Sequence, residues 1–266
     1  MRNYKIPTLT IAGSDSSGGA GVQADLKTFS AIGTYGMSVI TAITAQNTEG
    51  VFDVEELSGK IIKGQIKAVC EDIPPKAIKV GMVSSPEIIL DIVESLNKYP
   101  CECLVIDPVM ISKSGYSLLR PEAKENLIKY LIPMAYIVTP NIPEAEEITG
   151  IKIETAEDMK KVGEKILELG PKFVLMKGGH LDGDCVDVLI GKDVFEVYQC
   201  ERVHRKNTHG TGCTISSAIT SHLALGYDIK ESVKLSKEYI TEAIRHSFDI
   251  GHGVGPVHHF YKFNKN

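Results

Sequence analysis

Thr208-His209-Gly210-Thr211-Gly212-Cys213 gathers two glycines, two hydroxyl side chains and an ionisable thiol just ahead of a small-residue stretch, 214–225, that reads as a helix. Glycines permit tight turns, and a helix start presents unpaired N–H groups and the positive end of its dipole to whatever lies in front. An anion suits that place. If the anion is a phosphoryl group in transit, Cys213 stands where it can take the proton of an attacking hydroxyl, which makes phosphoryl transfer the first expectation. A thiol at a helix start is also expected to ionise more easily than free cysteine, moving from about 8.5 towards neutrality.

Other residues of chemical interest lie far apart in sequence. Gly13-Ser14-Asp15-Ser16-Ser17-Gly18-Gly19-Ala20-Gly21 joins a strand to a helix with spacing unlike a dinucleotide fingerprint. It reads either as a structural turn or as a loop recognising a small polar substrate. Asn141-Ile142-Pro143-Glu144 opens a short helix. Simple capping explains it, while Mg²⁺ handling by Glu144 with Asp107 is the alternative. Lys177, ending an apolar strand before Gly178-Gly179, must meet a phosphate or a carboxylate there. Lys113, in Ser112-Lys113-Ser114-Gly115, reads as a lid residue over bound phosphates or as an ordinary surface lysine. The six cysteines, at 70, 101, 103, 185, 200 and 213, lack CxxC spacing, so neither structural zinc nor disulfides are expected. His209, His252, His258 and His259 match no common ligand spacing, and the last two read as tail residues.

The elements that must position these residues follow from the hydrophobic pattern. Short β-branched runs at 8–12, 38–44, 77–80, 104–106, 136–138, 173–176, 187–190 and 194–199 read as strands. Stretches at 19–32, 60–71, 86–97, 121–131, 156–169, 211–225 and 229–246 carry apolar residues at helical spacing, as Val22, Leu26 and Phe29 do. Such alternation predicts an α/β fold with a mostly parallel sheet and covering helices. Several strands run straight into Gly13-Ser14-Asp15, Gly81-Met82, Asp107-Pro108, Thr139-Pro140-Asn141 and Lys177-Gly178. Ligands bind at the carboxyl edge of such sheets, so these residues are expected to line one cleft. No linker or fixed-period repeat divides residues 1–266, which are read as a single domain.

Bulk properties narrow the class further. With 43% hydrophobic and 24% charged residues the chain has the composition of a globular protein, and 266 residues can bury a substantial core. A net charge of −5 gives no general attraction to nucleic acid or anionic lipid, so neither is expected as a partner. The short apolar run near the N-terminus is broken by Pro7 and followed by Asp15, unlike a signal peptide or a spanning helix, and a cytoplasmic location is expected.

Taken jointly, these motifs resemble the hydroxymethylpyrimidine/phosphomethylpyrimidine kinases of the ribokinase-like superfamily, end to end. Residues 12–21, Gln23-Ala24-Asp25, Thr44-Ala45-Gln46-Asn47-Thr48, Gly81-Met82, Asp107-Pro108-Val109-Met110, Thr139-Pro140-Asn141, Glu144, Lys177-Gly178-Gly179-His180, the 208–213 loop and Gly253-Val254-Gly255-Pro256-Val257 carry the likeness. The resemblance implies a three-layer α/β/α fold that transfers the γ-phosphoryl of ATP, with Mg²⁺, to 4-amino-5-hydroxymethyl-2-methylpyrimidine and then to its monophosphate, in thiamine biosynthesis. It implies that Gln46 bonds the aminopyrimidine edge, that Gly13, Ala20, Met82 and Val109 wall the ring, and that the N–H groups of Gly210, Thr211, Gly212 and Cys213 hold the phosphoryl group. Cys213 stands where the wider superfamily has an aspartate base. Lys177, Thr208, Asp107 and Lys113 would serve the nucleotide, Glu144 and Asp107 the metal, and a homodimer is expected. Two other readings remain: a pyridoxal kinase of the same branch, which carries a second cysteine in the segment where this chain has Ser112, and a catalytically silent pyrimidine-binding protein.

Overall fold

The computed structural model describes residues 5–111, 115–116, 118–179 and 185–263. The chain runs through β1 (Pro7–Asp15), α1 (Gly21–Ile32), β2 (Tyr35–Gln46) and β3 (Val51–Glu56). Next come α2 (Gly59–Asp72), β4 (Ala77–Val80), α3 (Pro86–Lys98), β5 (Leu104–Ile106), α4 (Pro121–Asn126) and β6 (Ile137–Val138). The remainder is α5 (Ile142–Thr149), α6 (Ala156–Leu167), β7 (Phe173–Lys177), β8 (Cys185–Gly191), β9 (Val194–Cys200), α7 (Thr211–Ala224) and α8 (Ile229–Arg245). Among the described residues the strands form one nine-stranded sheet in the order β3-β2-β1-β4-β5-β6-β7-β8-β9. The six strands from β2 to β7 pair in parallel, while β3 at one edge and β8 and β9 at the other are antiparallel.

Successive strand residues face opposite sides of the sheet, and this alternation builds the layers. In β5, Leu104 and Ile106 join a core with Ile62 and Ile66 of α2 and Ile88 and Ile92 of α3. Val105 between them joins a core with Ile215 and Ile219 of α7 and Val233 and Ile240 of α8. In β7 the same rule sends Val174 and Met176 to α5 and α6, and Leu175 to α7 and α8. Central strands buried on both faces need continuous apolar runs, which is why Ala77-Ile78-Lys79-Val80 and Leu104-Val105-Ile106 contain almost nothing else.

The eight expected strands are present, and the structure adds β3. Its Val51-Phe52-Asp53-Val54-Glu55-Glu56 sequence is half polar and nowhere buried, as suits an edge strand, and gave no apolar run to detect. β2 continues two residues past the expected end and so includes Gln46. α1 starts at Gly21 rather than 19, because Asp15 accepts hydrogen bonds from the N–H groups of Ser17, Gly19 and Ala20 and holds them in a turn. The stretch expected as one helix over 121–131 is α4 followed by a π turn, Leu127–Leu131. His259 is a correction: it is buried, with its Nε2 3.0 Å from Thr214 Oγ1, and is no tail residue.

One apolar-looking strand hides a charge. Lys79 is fully buried, and its Nζ lies 2.8 Å from Asp25 Oδ2, equally buried. Thr10 and Ser217 hydroxyls each donate to Asp25 at 2.6 Å, which satisfies its remaining lone pairs. Breaking a buried pair strands a charge, so Lys79→Met is expected to lower unfolding free energy by about 3–5 kcal/mol. Urea unfolding measures this, and a loss below about 1 kcal/mol would mean water reaches Asp25.

Candidate active site

At the carboxyl edge of the sheet, the ends of β1, β2, β5 and β7 and the start of α7 enclose a cavity of about 670 Å³. Gly13, Ala20, Gln46, Met82, Asp107, Val109, Glu144, Lys177, Thr208, Gly210, Thr211, Gly212 and Cys213 all line it. The structure therefore brings together every expected site residue except Lys113, which lies outside the described residues.

The glycine-rich turn and the α7 start meet backbone to backbone. Gly210 has φ +80°, and a Cβ there would collide with the Gly19 carbonyl oxygen, so no other residue fits without displacing that loop. Asp15 locks the approach: His209 Nε2 lies 2.8 Å from Asp15 Oδ2. Burial alone would raise the Asp15 pKa, but His209, Ser17 and the Ala20 N–H together hold it below the usual carboxylate value. Asp15 is thus fully used within the loop rather than offered to a substrate, as the polar content of the turn had suggested. His209 Nε2 also lies 3.3 Å from one end of the Gln46 side-chain amide, whose other end lies 3.2 Å from Thr44 Oγ1. No metal-ligand spacing pointed to His209, and its position beside the glycine loop was the only signal available.

Opposite this latch sits an ionic cluster. Lys177 Nζ lies 2.9 Å from Asp107 Oδ1, which also accepts from Thr139, while Asp107 Oδ2 accepts from Ser216 at 3.3 Å. Lys177 thus has the carboxylate partner that its strand-end position required. Burial would raise Asp107, yet Lys177 and Lys79 hold it low; burial would lower Lys177, yet Asp107 and Glu144 hold it high. Glu144 both caps and lines the cavity: its Oε2 accepts from Asn141 N–H at 2.8 Å, while Asn141 Oδ1 accepts from Glu144 N–H. Burial, reinforced by Asp107 and opposed by Lys177, raises Glu144 from 4.5 to about 7.

Cys213 stands at the third residue of α7 and lines the cavity, but its ionisation is contrary to expectation. Burial pushes its pKa up to about 11; Lys79 and the Gly21 N–H favour the thiolate, while Asp25 and Asp107 oppose it. A helix start does lower a thiol pKa, but here desolvation and two nearby carboxylates outweigh it. The resting sulfur is a thiol.

A helix start turned onto the carboxyl edge of a parallel sheet, beside a buried lysine and two carboxylates, is the architecture of a ribokinase-like phosphotransferase. The family model described as phosphomethylpyrimidine kinase matches residues 15–258, and the chain belongs to that family. A hydroxymethylpyrimidine/phosphomethylpyrimidine kinase of Bacillus subtilis (strain 168) is 43% identical over 268 residues, covering all of this chain and 98% of its own length. The solved phosphomethylpyrimidine kinase of Clostridium difficile 630 is 76% identical, with a TM-score of 0.82, over 90% of this chain and 99% of that one. An ADP complex of Bacillus subtilis pyridoxal kinase superimposes with a TM-score of 0.90 at 38% identity, over 97% of this chain and 99% of that one.

The raised Glu144 pKa carries a sign. Between 4.5 and about 7 the folded protein keeps a proton that the unfolded chain has lost, so this group makes stability fall as pH rises through that window. Glu144→Gln keeps the N–H acceptor of the cap and removes the titration. Ligand-free urea unfolding at pH 5 and pH 8 is expected to show a smaller loss for Glu144→Gln than for the native chain; equal losses would mean that Glu144 is solvated.

Proposed function

We propose that this chain, acting as a single cytoplasmic domain, phosphorylates 4-amino-5-hydroxymethyl-2-methylpyrimidine from ATP and then converts the monophosphate to the diphosphate, a step of thiamine biosynthesis. One observation carries the reading: a thiol and a helix start share one cavity with a Lys-Asp-Glu cluster. Gln46 reads the ring edge, since an amide both donates and accepts. Gly13, Ala20, Met82 and Val109 face the ring, and the substrate hydroxyl points at Cys213. The N–H groups of Gly210, Thr211, Gly212 and Cys213 hold the migrating phosphoryl group, with Lys177 and Thr208 towards the nucleotide.

Preorganised N–H groups at developing charge commonly contribute more than a base does. Here the balance leans further, because a thiol near 11 is almost wholly protonated at neutral pH. Only the small thiolate fraction of Cys213 can therefore take the substrate proton, so the base acts through a minor ionisation state. The monophosphate needs no base, its attacking oxygen being already anionic.

The donors suit Mg²⁺, which takes hard oxygens and one or two carboxylates. Glu144 uses Oε2 within its cap and presents a carboxylate to the cavity, whereas Asp107 is engaged by Lys177, so Glu144 is the stronger ligand and Asp107 acts mainly through Lys177. The bound ion would neutralise charge on the nucleotide phosphates. For the homodimer, the exposed Ile43 and Phe52 on the β2–β3 hairpin offer an apolar face.

Cys213→Ala is expected to slow the first transfer by about 10²- to 10⁴-fold while largely sparing the second. Equal losses in both steps would give the sulfur a structural role. The first transfer of the native chain should also keep rising in rate from pH 7 to pH 10 without a plateau, following the thiol; a plateau by pH 8 would exclude it as base.

Gln46→Ala is expected to weaken pyrimidine binding with little change in ADP binding, and calorimetry showing the reverse would move Gln46 out of the substrate site. With the native chain, steady-state assays should rank the hydroxymethylpyrimidine above pyridoxal by about tenfold or more in kcat/KM. Absence of acceptor-dependent ATP consumption would leave only a silent binder.

A further inference from the structure

Two of the cysteines that the sequence leaves scattered meet in space. β8 and β9 are joined by the two-residue turn Lys192-Asp193, and their antiparallel register sets Cys185 directly opposite Cys200. Directly opposed residues of an antiparallel pair point to the same face, with Cα atoms about 4.5 or 5.5 Å apart. Disulfides span Cα separations of about 4.4–6.8 Å, so directly opposed residues fall within their reach. Both side chains are free thiols, both are partly exposed, and both line the cavity. With Arg202 and Lys237 they line its β8–β9 end, the outer end at one edge of the sheet, while Gln46 stands on β2 near the opposite edge. Thr241 Oγ1 of α8, which donates to the Lys237 carbonyl at 2.8 Å, lies 3.7 Å from the Cys200 sulfur. Burial raises the Cys185 thiol; Arg202 and Lys237 favour its thiolate, and a charge on Cys200 opposes it, as expected of sulfurs in mutual range.

We propose that Cys185 and Cys200 form a modification site for low-molecular-weight disulfides, closing to a cross-strand disulfide that obstructs the outer end of the cavity. The first protein thiolate attacks one sulfur of glutathione disulfide, expelling one glutathione thiolate and leaving a mixed disulfide. The second cysteine, its proton lost to water, attacks the protein-bound sulfur and releases the second glutathione. Two protein thiols are oxidised, one glutathione disulfide is reduced to two glutathiones, and no other reactant is needed. A second thiol at hand makes the mixed disulfide short-lived, which separates this pair from the other cysteines. Obstruction bears on nucleotide only under the proposed function, which puts the nucleotide beyond Lys177 and Thr208.

The test treats the full-length protein, ligand-free, with glutathione disulfide and maps peptides without reduction. The native chain should lose two hydrogens, located to a peptide joining Cys185 to Cys200, whereas Cys200→Ser should hold a stable glutathione adduct on Cys185. Stable glutathione adducts on the native chain, linkage through other cysteines, or no reaction would overturn the site. ADP titration of the same samples should show about tenfold weaker binding after oxidation, restored by dithiothreitol. Equal ADP affinity in oxidised and reduced protein would overturn the obstruction, while reduced protein that binds no ADP would instead overturn the nucleotide reading.

Discussion

Hydroxyl groups, more than apolar packing, fix where α7 begins. Its buried face carries Thr214, Ser216, Ser217, Thr220 and Ser221, side chains that a core helix seldom buries without partners. Ser216 donates to Asp107, Ser217 donates to Asp25, Thr214 pairs with His259, and Ser221 pairs with Thr34. Each bond has one correct register, so a slip of one residue would leave buried carboxylates and hydroxyls unpaired at once. Apolar contacts tolerate sliding far better. The N–H groups of Gly210–Cys213 thereby gain a fixed position relative to α1, through Asp25, to β4, through Lys79, and to the end of β5, through Asp107. A helix start used to stabilise a migrating charge needs that precision, because its contribution falls off within the first turn.

The same carboxylates decide the chemistry of the sulfur. Asp25 and Asp107 anchor α7 and also lie near Cys213, where they work against its thiolate; Lys79 and Lys177 offset them in turn. The result is a site of nearly balanced buried charge in which adding one more anion is unfavourable. An ionised Cys213 would be that anion. A resting thiol avoids the conflict, and it leaves charge stabilisation to main-chain dipoles, which bring no net charge.

Much of this was legible in the sequence because glycine, proline and charge interrupt apolar runs at strand ends, and the topology of a parallel sheet gathers those ends at one edge. Gly13, Asp107, Glu144 and Lys177 could therefore be placed together from the pattern alone, whereas Gln46 was placed with them and with the 208–213 loop by the family resemblance. What could not be read depends on burial and on long-range partners. Asp15 looked available and is consumed by its own loop; His259 looked like a tail residue and is a buried partner of α7; Cys213 looked activated because a helix start is visible in sequence while desolvation is not. β3 escaped notice for the opposite reason, since an edge strand needs little hydrophobicity, and the Cys185–Cys200 pairing emerges only once the hairpin register is known.

The latch between the two loops has a further consequence for recognition. His209 Nε2 lies 2.8 Å from Asp15 Oδ2, and a carboxylate can only accept, so that nitrogen carries a hydrogen. A nitrogen that is donating cannot accept from the Gln46 amide nitrogen 3.3 Å away, so hydrogen-bond pairing favours the amide turned over, with its oxygen to His209 and its nitrogen to Thr44. Thr44 can receive it, because its own hydroxyl hydrogen is directed at the Ser14 carbonyl, 2.9 Å distant. Asp15, which holds the glycine turn together, thus also sets through His209 which edge of the Gln46 amide donates and which accepts. The residue that closes the loop over the α7 start and the residue that would read a ring edge are parts of one hydrogen-bonded chain, and neither can be reoriented without the other.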